Sequence, residues 1–169
     1  MNILSKLISV GALVALAACT NATDLDGYGS GAGGAGSGGA AGSASDPTSP
    51  AYFQQAVGDR VLFEVDQSTL TDAARGILQG QAEWLMQNVD YSAVIEGHAD
   101  EQGTREYNLA LGARRANAAR EFLISRGVAG NRLKVLSYGK ERPIEICSEE
   151  ACYAKNRRAV TILSSDLTG

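Results

Sequence analysis

Apolar residues recur in two distinct periods along the C-terminal two thirds of the chain. Alternation with a period of two predicts strands at 60–65, 91–97, 132–138 and 158–163, whereas spacings of three and four predict helices at 71–88, 104–126 and 149–156. Strands that alternate with helices need crossover connections, which favour at least partly parallel pairing. The pattern therefore predicts a two-layer α/β sandwich with helices packed on one face of a mixed β-sheet.

The two long helices each carry an apolar stripe. In the first helix the stripe comprises Ala74, Ile77, Leu78, Gln81 and Leu85, flanked by Trp84. In the second helix it comprises Leu109, Gly112, Ala116, Ala119 and Leu123. Thr104 is a suitable cap for the start of the second helix, and Gly127 ends it.

A second stripe of this helix suggests chemistry. Tyr107, Leu111 and Arg115 are spaced four apart, so they share a face that borders the core and points towards the loop holding Asp100. A carboxylate and a planar guanidinium held close together can clamp a ligand that carries both an ammonium and a carboxylate. Spacing alone favours a simpler interpretation, in which Asp100 and Arg115 pair with each other or lie on a solvated face, because surface ion pairs are common and stabilise by only about 0–1 kcal/mol.

Four sequence motifs carry a family resemblance. The run GHADEQGTREYNLALGARRA at 97–116 resembles the peptidoglycan-binding motif of OmpA-like domains. The segments LFEVD at 62–66, SYGKERP at 137–143 and YAKNRRAV at 153–160 are similar to further signatures of that family. The resemblance covers roughly residues 58–164 and implies the same α/β sandwich.

The resemblance also implies a ligand, the diaminopimelate of the peptidoglycan stem peptide. Matched position by position, it makes Asp100 the partner of the ligand ammonium and Arg115 the partner of its carboxylate. Pocket-lining positions fall on Asp66, Gly103, Thr104 and Leu111. Val65 stands where family members often have an aromatic residue, which predicts a thinner aromatic wall.

The start of the chain predicts export and lipidation. Lys6 is the only charge in the first 18 residues, and the apolar stretch at 7–18 is too short to span a bilayer. The tetrapeptide LAAC that ends at Cys19 resembles a lipobox, which implies cleavage before Cys19, a lipid on its sulfur and acylation of its amino group. The alternative is an ordinary signal peptide with a chance cysteine. Thr20, where an Asp would favour the inner membrane, predicts an outer-membrane lipoprotein whose domain faces the periplasm.

Composition completes the predicted domain organisation. Residues 27–45 are Gly, Ala and Ser except for Tyr28, a composition that cannot form a core. The predicted parts are a signal peptide at 1–18, a lipidated N-terminus and disordered tether at 19–57, an OmpA-like domain at 58–164 and a tail at 165–169.

Charge and cysteine content narrow the possible partners. The net charge is −4, and it falls to near −5 once Lys6 is removed with the signal peptide, which argues against a nucleic-acid partner.

Cys147 and Cys152 lie close together in an exported chain, so a structural disulfide is favoured over a redox or zinc site. The basic residues Lys155, Arg157 and Arg158 are expected to form a solvated entrance to the last strand.

Two sets of residues offer alternatives to a binding function. Glu96, Asp100 and Glu101 offer the carboxylates that glycoside hydrolysis requires, but nothing else resembles a hydrolase, so we predict no catalysis. His98 is the only imidazole, and a lone His in a loop is usually a hydrogen-bonding residue, so no metal or other cofactor is predicted.

The function that the resemblance implies is non-covalent attachment of the outer membrane to peptidoglycan within the Tol system, with TolB and TolA as partners and roles in envelope integrity and cell division. The alternative within the same class is an OmpA-like lipoprotein without Tol partners.

Overall fold

The computed structural model describes residues 43–164. The predicted signal peptide, Cys19, the tether before Ser43 and the tail at 165–169 lie outside the described residues. The helical elements are α1 Pro50–Tyr52, which continues as a π-helical turn Phe53–Gly58, then α2 Asp72–Gln87, α3 Arg105–Ser125, a 3-10 turn Gly130–Arg132 and α4 Glu150–Asn156. The strands are β1 Arg60–Leu62, β2 Ser92–His98, β3 Leu133–Gly139 and β4 Arg158–Ser164.

The strands form one mixed sheet in the order β1-β4-β2-β3. β2 and β3 are parallel, whereas β4 is antiparallel to both β1 and β2. Alternate residues such as Ile95 and Ala159 face α2 and α3 and belong to the hydrophobic core, while Leu62, Leu136 and Ile162 lie exposed on the opposite face. The predicted sandwich with helices on one face of a mixed sheet is confirmed.

Both long helices begin where the sequence predicts. The side chains of Thr71 and Thr104 accept hydrogen bonds from the backbone N–H groups of Ala74 and Tyr107, so each threonine caps its helix. The inward stripe of α2 is also as predicted, with Leu78 and the other predicted members buried or half-buried.

The inward stripe of α3 differs from the prediction at one position. Leu109 is 48% exposed, and the buried positions of this turn are Asn108 and Leu111. A three- or four-residue spacing fits two neighbouring stripes of a helix equally well, and here the stripe through Asn108 faces the sheet.

The first strand is shorter than the alternation predicts. β1 ends at Leu62, and Val65 is exposed, because the chain leaves the sheet in a turn closed by a hydrogen bond from the Gln67 N–H to the Glu64 carbonyl. Asp66 lies in this turn with φ of 56°, which makes it the only non-glycine residue with positive φ among residues 43–164.

The folded unit also extends further towards the N-terminus than predicted. Residues 50–57 were expected to be tether, but they are helical and Phe53 is completely buried against Trp84. The Trp84 indole N–H donates to the Pro47 carbonyl at 2.7 Å, which fixes the approach to the domain.

Two glycines lie where α3 packs against β2. A Cβ atom added at Gly97 would lie 1.8 Å from the Gly112 carbonyl oxygen, and one added at Gly112 would lie 2.5 Å from the Ser137 hydroxyl oxygen. These two glycines let the backbone of α3 contact the backbone of β2 directly, so they set the distance between the helix and the strand.

We expect Gly97→Ala to lower the free energy of unfolding by at least about 2 kcal/mol, since the new methyl group meets backbone that cannot move aside. Gly76→Ala in α2 is the matched control, because nothing lies within 4 Å of its added Cβ. That control should be neutral or stabilise the protein by up to about 1 kcal/mol. Urea unfolding of both variants checks the prediction, and equal stabilities would contradict it.

Candidate ligand-binding site

A cavity of about 240 Å³ opens at the start of α3. It lies between the turn at 64–67, the loop that follows β2 and the first turns of the helix. Its lining residues are Val65, Asp66, Asp100, Gln102, Gly103, Tyr107, Asn108 and Leu111. Four of the six predicted ligand residues therefore line one cavity.

The other two predicted residues lie beside this cavity in different roles. Thr104 caps α3, as described above, and Arg115 is completely buried. A larger and mainly apolar groove of about 430 Å³ runs along β1 between Leu62, Ile77 and Ile144, and it contains none of the predicted residues.

Asp66 reaches the cavity because of its unusual backbone conformation. A left-handed φ turns the chain back on itself just after β1 and directs this carboxylate towards α3. There the Tyr107 hydroxyl donates a hydrogen bond to Asp66 Oδ1, and this bond raises the pKa of Tyr107. The tyrosine thus connects the turn at 64–67 to the helix.

Asp100 lies on the opposite wall and is only 8% exposed. Its Oδ1 accepts the backbone N–H of Gln102 at 3.2 Å, and its Oδ2 accepts Nη1 of Arg157 at 3.2 Å. A nearly buried carboxylate needs such partners to replace the hydrogen bonds that water would make. The Asp100 carboxylate is therefore held in one position at the edge of the cavity.

The buried Arg115 side chain connects the turn at 64–67 to the end of β2. Its Nε donates to the Gln67 carbonyl at 2.8 Å, its Nη1 to the His98 carbonyl at 2.9 Å and its Nη2 to the Glu64 carbonyl at 3.2 Å. Burial lowers the pKa of Arg115 to about 10, an effect that the negative charge of Asp100 partly opposes. The side chain is therefore a cation at neutral pH.

The loop between Asp100 and α3 is also held firmly. Gly103 has φ of 92°, and its carbonyl accepts the Lys140 ammonium at 2.7 Å. The Asn108 side-chain amide donates to the Gln102 carbonyl at 2.8 Å. The backbone that bounds the cavity on this side is thus held by hydrogen bonds from the Lys140 and Asn108 side chains.

The prediction of a solvated basic cluster is wrong for two of its three members. Arg157 and Arg158 are buried, and only Lys155 is exposed. Arg157 is held by Asp100, Glu150 and the Phe63 carbonyl, so three acceptors compensate its burial. The sequence did not predict that Arg157 is buried, because a charged residue is usually exposed. The one available signal was its position within the family signature at 153–160.

The carboxylates considered for glycan hydrolysis do not meet at one cavity. The Glu101 side chain accepts hydrogen bonds from Ser148 and Tyr153, outside the lining of the cavity. Glu96 points to the other side of β2, where its Oε2 lies 3.8 Å from His98 Nε2. Of the three, Asp100 alone contributes to the cavity.

Three further features of the described residues bear on the predictions. Cys147 and Cys152 form a disulfide with their Cα atoms 6.0 Å apart, which confirms the predicted pairing. Across residues 43–164, no three His, Cys, Asp or Glu side chains are grouped as a metal site would require. None of the helices in this part of the chain has the length and apolar character needed to cross a membrane.

The family follows from comparison with known proteins. The OmpA family model matches residues 62–157, more than half of the chain, so the chain belongs to the OmpA family.

Within that family the similarity is to proteins named peptidoglycan-associated lipoprotein. The one from Mesorhizobium japonicum is 50% identical over 164 residues, which cover 94% of this chain and 90% of the relative. The one from Rhizobium meliloti is 47% identical over 163 residues, covering 93% and 86% respectively. The crystal structure of the peptidoglycan-associated lipoprotein from Burkholderia pseudomallei aligns with a TM-score of 0.64 at 36% identity, covering 72% of this chain and 98% of that one. The resemblance predicted from the motifs is confirmed.

His98 should make stability depend on pH. Burial, and then the charges of Arg158 and Arg142, lower its pKa from about 6.5 to about 4. Between these two values the unfolded chain binds more protons than the folded protein, so the stabilisation is complete above about pH 6.5 and is lost as the pH falls towards 4. We expect the loss to be on the order of 2 kcal/mol.

Chemical unfolding at a series of pH values, compared between the wild type and His98→Asn, measures this contribution. The variant should lack the part of the slope that His98 causes. If both proteins lost stability equally between pH 6.5 and 4, His98 would not be the titrating group.

Proposed function

We propose that this chain is an outer-membrane lipoprotein whose cavity binds the diaminopimelate end of a peptidoglycan stem peptide without covalent chemistry. The observation that carries the proposal is the charge balance of the site. The carboxylates of Asp66 and Asp100 line the cavity, and the guanidinium groups of Arg115 and Arg157 lie buried next to it. A zwitterionic end group is complementary to this arrangement, and the similarity to peptidoglycan-associated lipoproteins supports the same ligand class.

Each half of the ligand has a proposed partner. The ammonium is proposed to be attracted by Asp66 and Asp100, which line the cavity from two different segments of the chain. Arg115 is the proposed partner of the ligand carboxylate. A guanidinium has five N–H groups and the three backbone carbonyls use three of them, so two are left for the ligand carboxylate. Gly103, Thr104 and Leu111 are proposed to shape the rest of the pocket.

We propose binding rather than catalysis. A glycoside hydrolase needs one carboxylic acid that donates a proton and a second carboxylate across the scissile bond. Both oxygens of Asp100 already accept hydrogen bonds, from Arg157 and from the Gln102 N–H, so this group acts as an acceptor. The chain is accordingly proposed to have no enzymatic activity and no cofactor.

The segment before the domain is proposed to connect it to the outer membrane. Lipid on Cys19 would hold one end, and the Gly/Ala/Ser-rich residues that follow would give a random-coil reach of roughly 30–40 Å towards the cell wall. Many weak attachments of this kind hold two layers together by avidity.

TolB and TolA are the proposed partners within the Tol system, with envelope integrity and cell division as the proposed roles.

We expect Asp100→Asn to weaken co-sedimentation with purified sacculi at least about tenfold, since a ligand ammonium would lose one of its two charged partners. Asp90→Asn is the matched control, because Asp90 is an exposed loop residue that does not line the cavity. Unchanged sedimentation of the Asp100 variant would contradict the proposed site. Release of soluble glycan fragments by the wild type would contradict the absence of catalysis.

The lipid anchor has its own test. Cys19→Ser removes the thiol that the modification requires, so we expect this variant to stay unprocessed or to leave the membrane fraction. Mass spectrometry of the wild-type N-terminal peptide should find a lipidated Cys19 as the first residue. An unmodified mature peptide that starts elsewhere would show that the chain is not a lipoprotein.

A further inference from the structure

Arg157 links the candidate site to the disulfide-closed segment at 147–152. We propose that Arg157 is a positioning residue that holds Asp100 ready for the ligand ammonium, and that Glu150 in this segment holds Arg157 in turn. The inference rests on the proposed function, because it assigns a role within the same site. Arg157 does not line the cavity, so it acts on binding through the residues it holds, and Asp100 is the one among them that lines the cavity.

The contacts of Arg157 support this role. The residue is 3% exposed and lies between α4 and β4, where its Nη1 donates to Asp100 and its Nε donates to the Phe63 carbonyl at 3.2 Å. Phe63 directly precedes the turn that carries Asp66. One buried guanidinium thus contacts the segments that supply both carboxylates of the cavity, and it fixes their separation.

The third donor of Arg157 reaches the disulfide segment. Its Nη2 donates to Glu150, the first residue of α4, which lies between Cys147 and Cys152. Ser148 and Tyr153 also donate hydrogen bonds to Glu101, the neighbour of Asp100. The disulfide keeps this short segment closed, so its side chains face the loop at 100–103 with little freedom to move away.

Arg157 affects binding of the ligand ammonium in two opposite ways. Its positive charge repels an ammonium, but this repulsion acts from behind Asp100 and across a cavity open to solvent, where charges are screened. Its hydrogen bond to Asp100 fixes a carboxylate that is almost buried, and a buried carboxylate that loses its cation turns away or is neutralised. The second effect is larger, so loss of Arg157 should weaken binding.

A double-mutant cycle tests the proposal on the full mature chain in detergent. The probe is a synthetic stem peptide that ends in diaminopimelate, and its affinity is measured by titration calorimetry. Arg157→Gln should weaken binding roughly tenfold or more in the wild-type background, but less than about threefold when Asp100→Asn is already present. Such non-additivity is expected only if Arg157 acts through Asp100, whereas a general effect on the fold would appear equally in both backgrounds.

Glu150→Gln provides a milder test if Arg157→Gln fails to fold. Glu150 is largely exposed, so its loss should preserve the thermal unfolding midpoint while weakening binding roughly two- to fivefold. Glu145→Gln is the matched control, because Glu145 pairs with Lys155 at 2.8 Å and does not line the cavity. Its affinity for the probe should equal that of the wild type.

The outcomes separate the two proposals. If the wild type does not bind the probe, the proposed function fails. If the wild type binds and Asp100→Asn weakens binding, but Arg157→Gln costs the same factor in both backgrounds, only the positioning role of Arg157 is wrong. Equal affinities of the Glu150 and Glu145 variants would likewise overturn the role of the disulfide segment.

Discussion

The burial of one guanidinium, that of Arg115, is the constraint on which the candidate site depends. Three backbone carbonyls from two separate segments converge on this side chain, and each segment supplies one carboxylate of the cavity. A buried cation without acceptors would be strongly destabilising, so the turn at 64–67 and the end of β2 have to stay where they can accept its hydrogen bonds. The same bonds explain how Asp66 is kept in a left-handed conformation that few residues adopt without support.

The sheet and the helices bring this constraint into position. Because Gly97 and Gly112 let α3 lie directly on β2, the first turns of the helix sit next to the loop that follows the strand. Two acidic and two basic side chains lie at this edge. Asp66 and Asp100 line the cavity, and Arg115 and Arg157 are buried beside them. Balance of this kind is complementary to the proposed zwitterionic end group, whose ammonium and carboxylate would each meet a group of opposite charge.

The sequence predicted the parts of this fold that depend on local signals. The caps at Thr71 and Thr104, the helices that follow them and the loop carrying Asp100 all lie as expected, because capping and periodicity are properties of short segments.

The errors arise where tertiary packing decides which residues are buried. Leu109 fits an apolar stripe but faces solvent, since the true stripe is one residue away. Arg157 looks like a surface charge, and only the folded chain brings Asp100, Glu150 and the Phe63 carbonyl around it. The ligand assignment came from family motifs, since spacing alone favoured a surface ion pair.

A crystal structure of the protein with a synthetic stem peptide ending in diaminopimelate would show where the ligand lies. We expect the peptide's free ammonium to lie within hydrogen-bonding distance of the Asp66 and Asp100 carboxylates, while its carboxylate faces Arg115. Density for the peptide in the apolar groove beside Leu62 and Ile144, with the cavity at the start of α3 empty, would contradict this expectation.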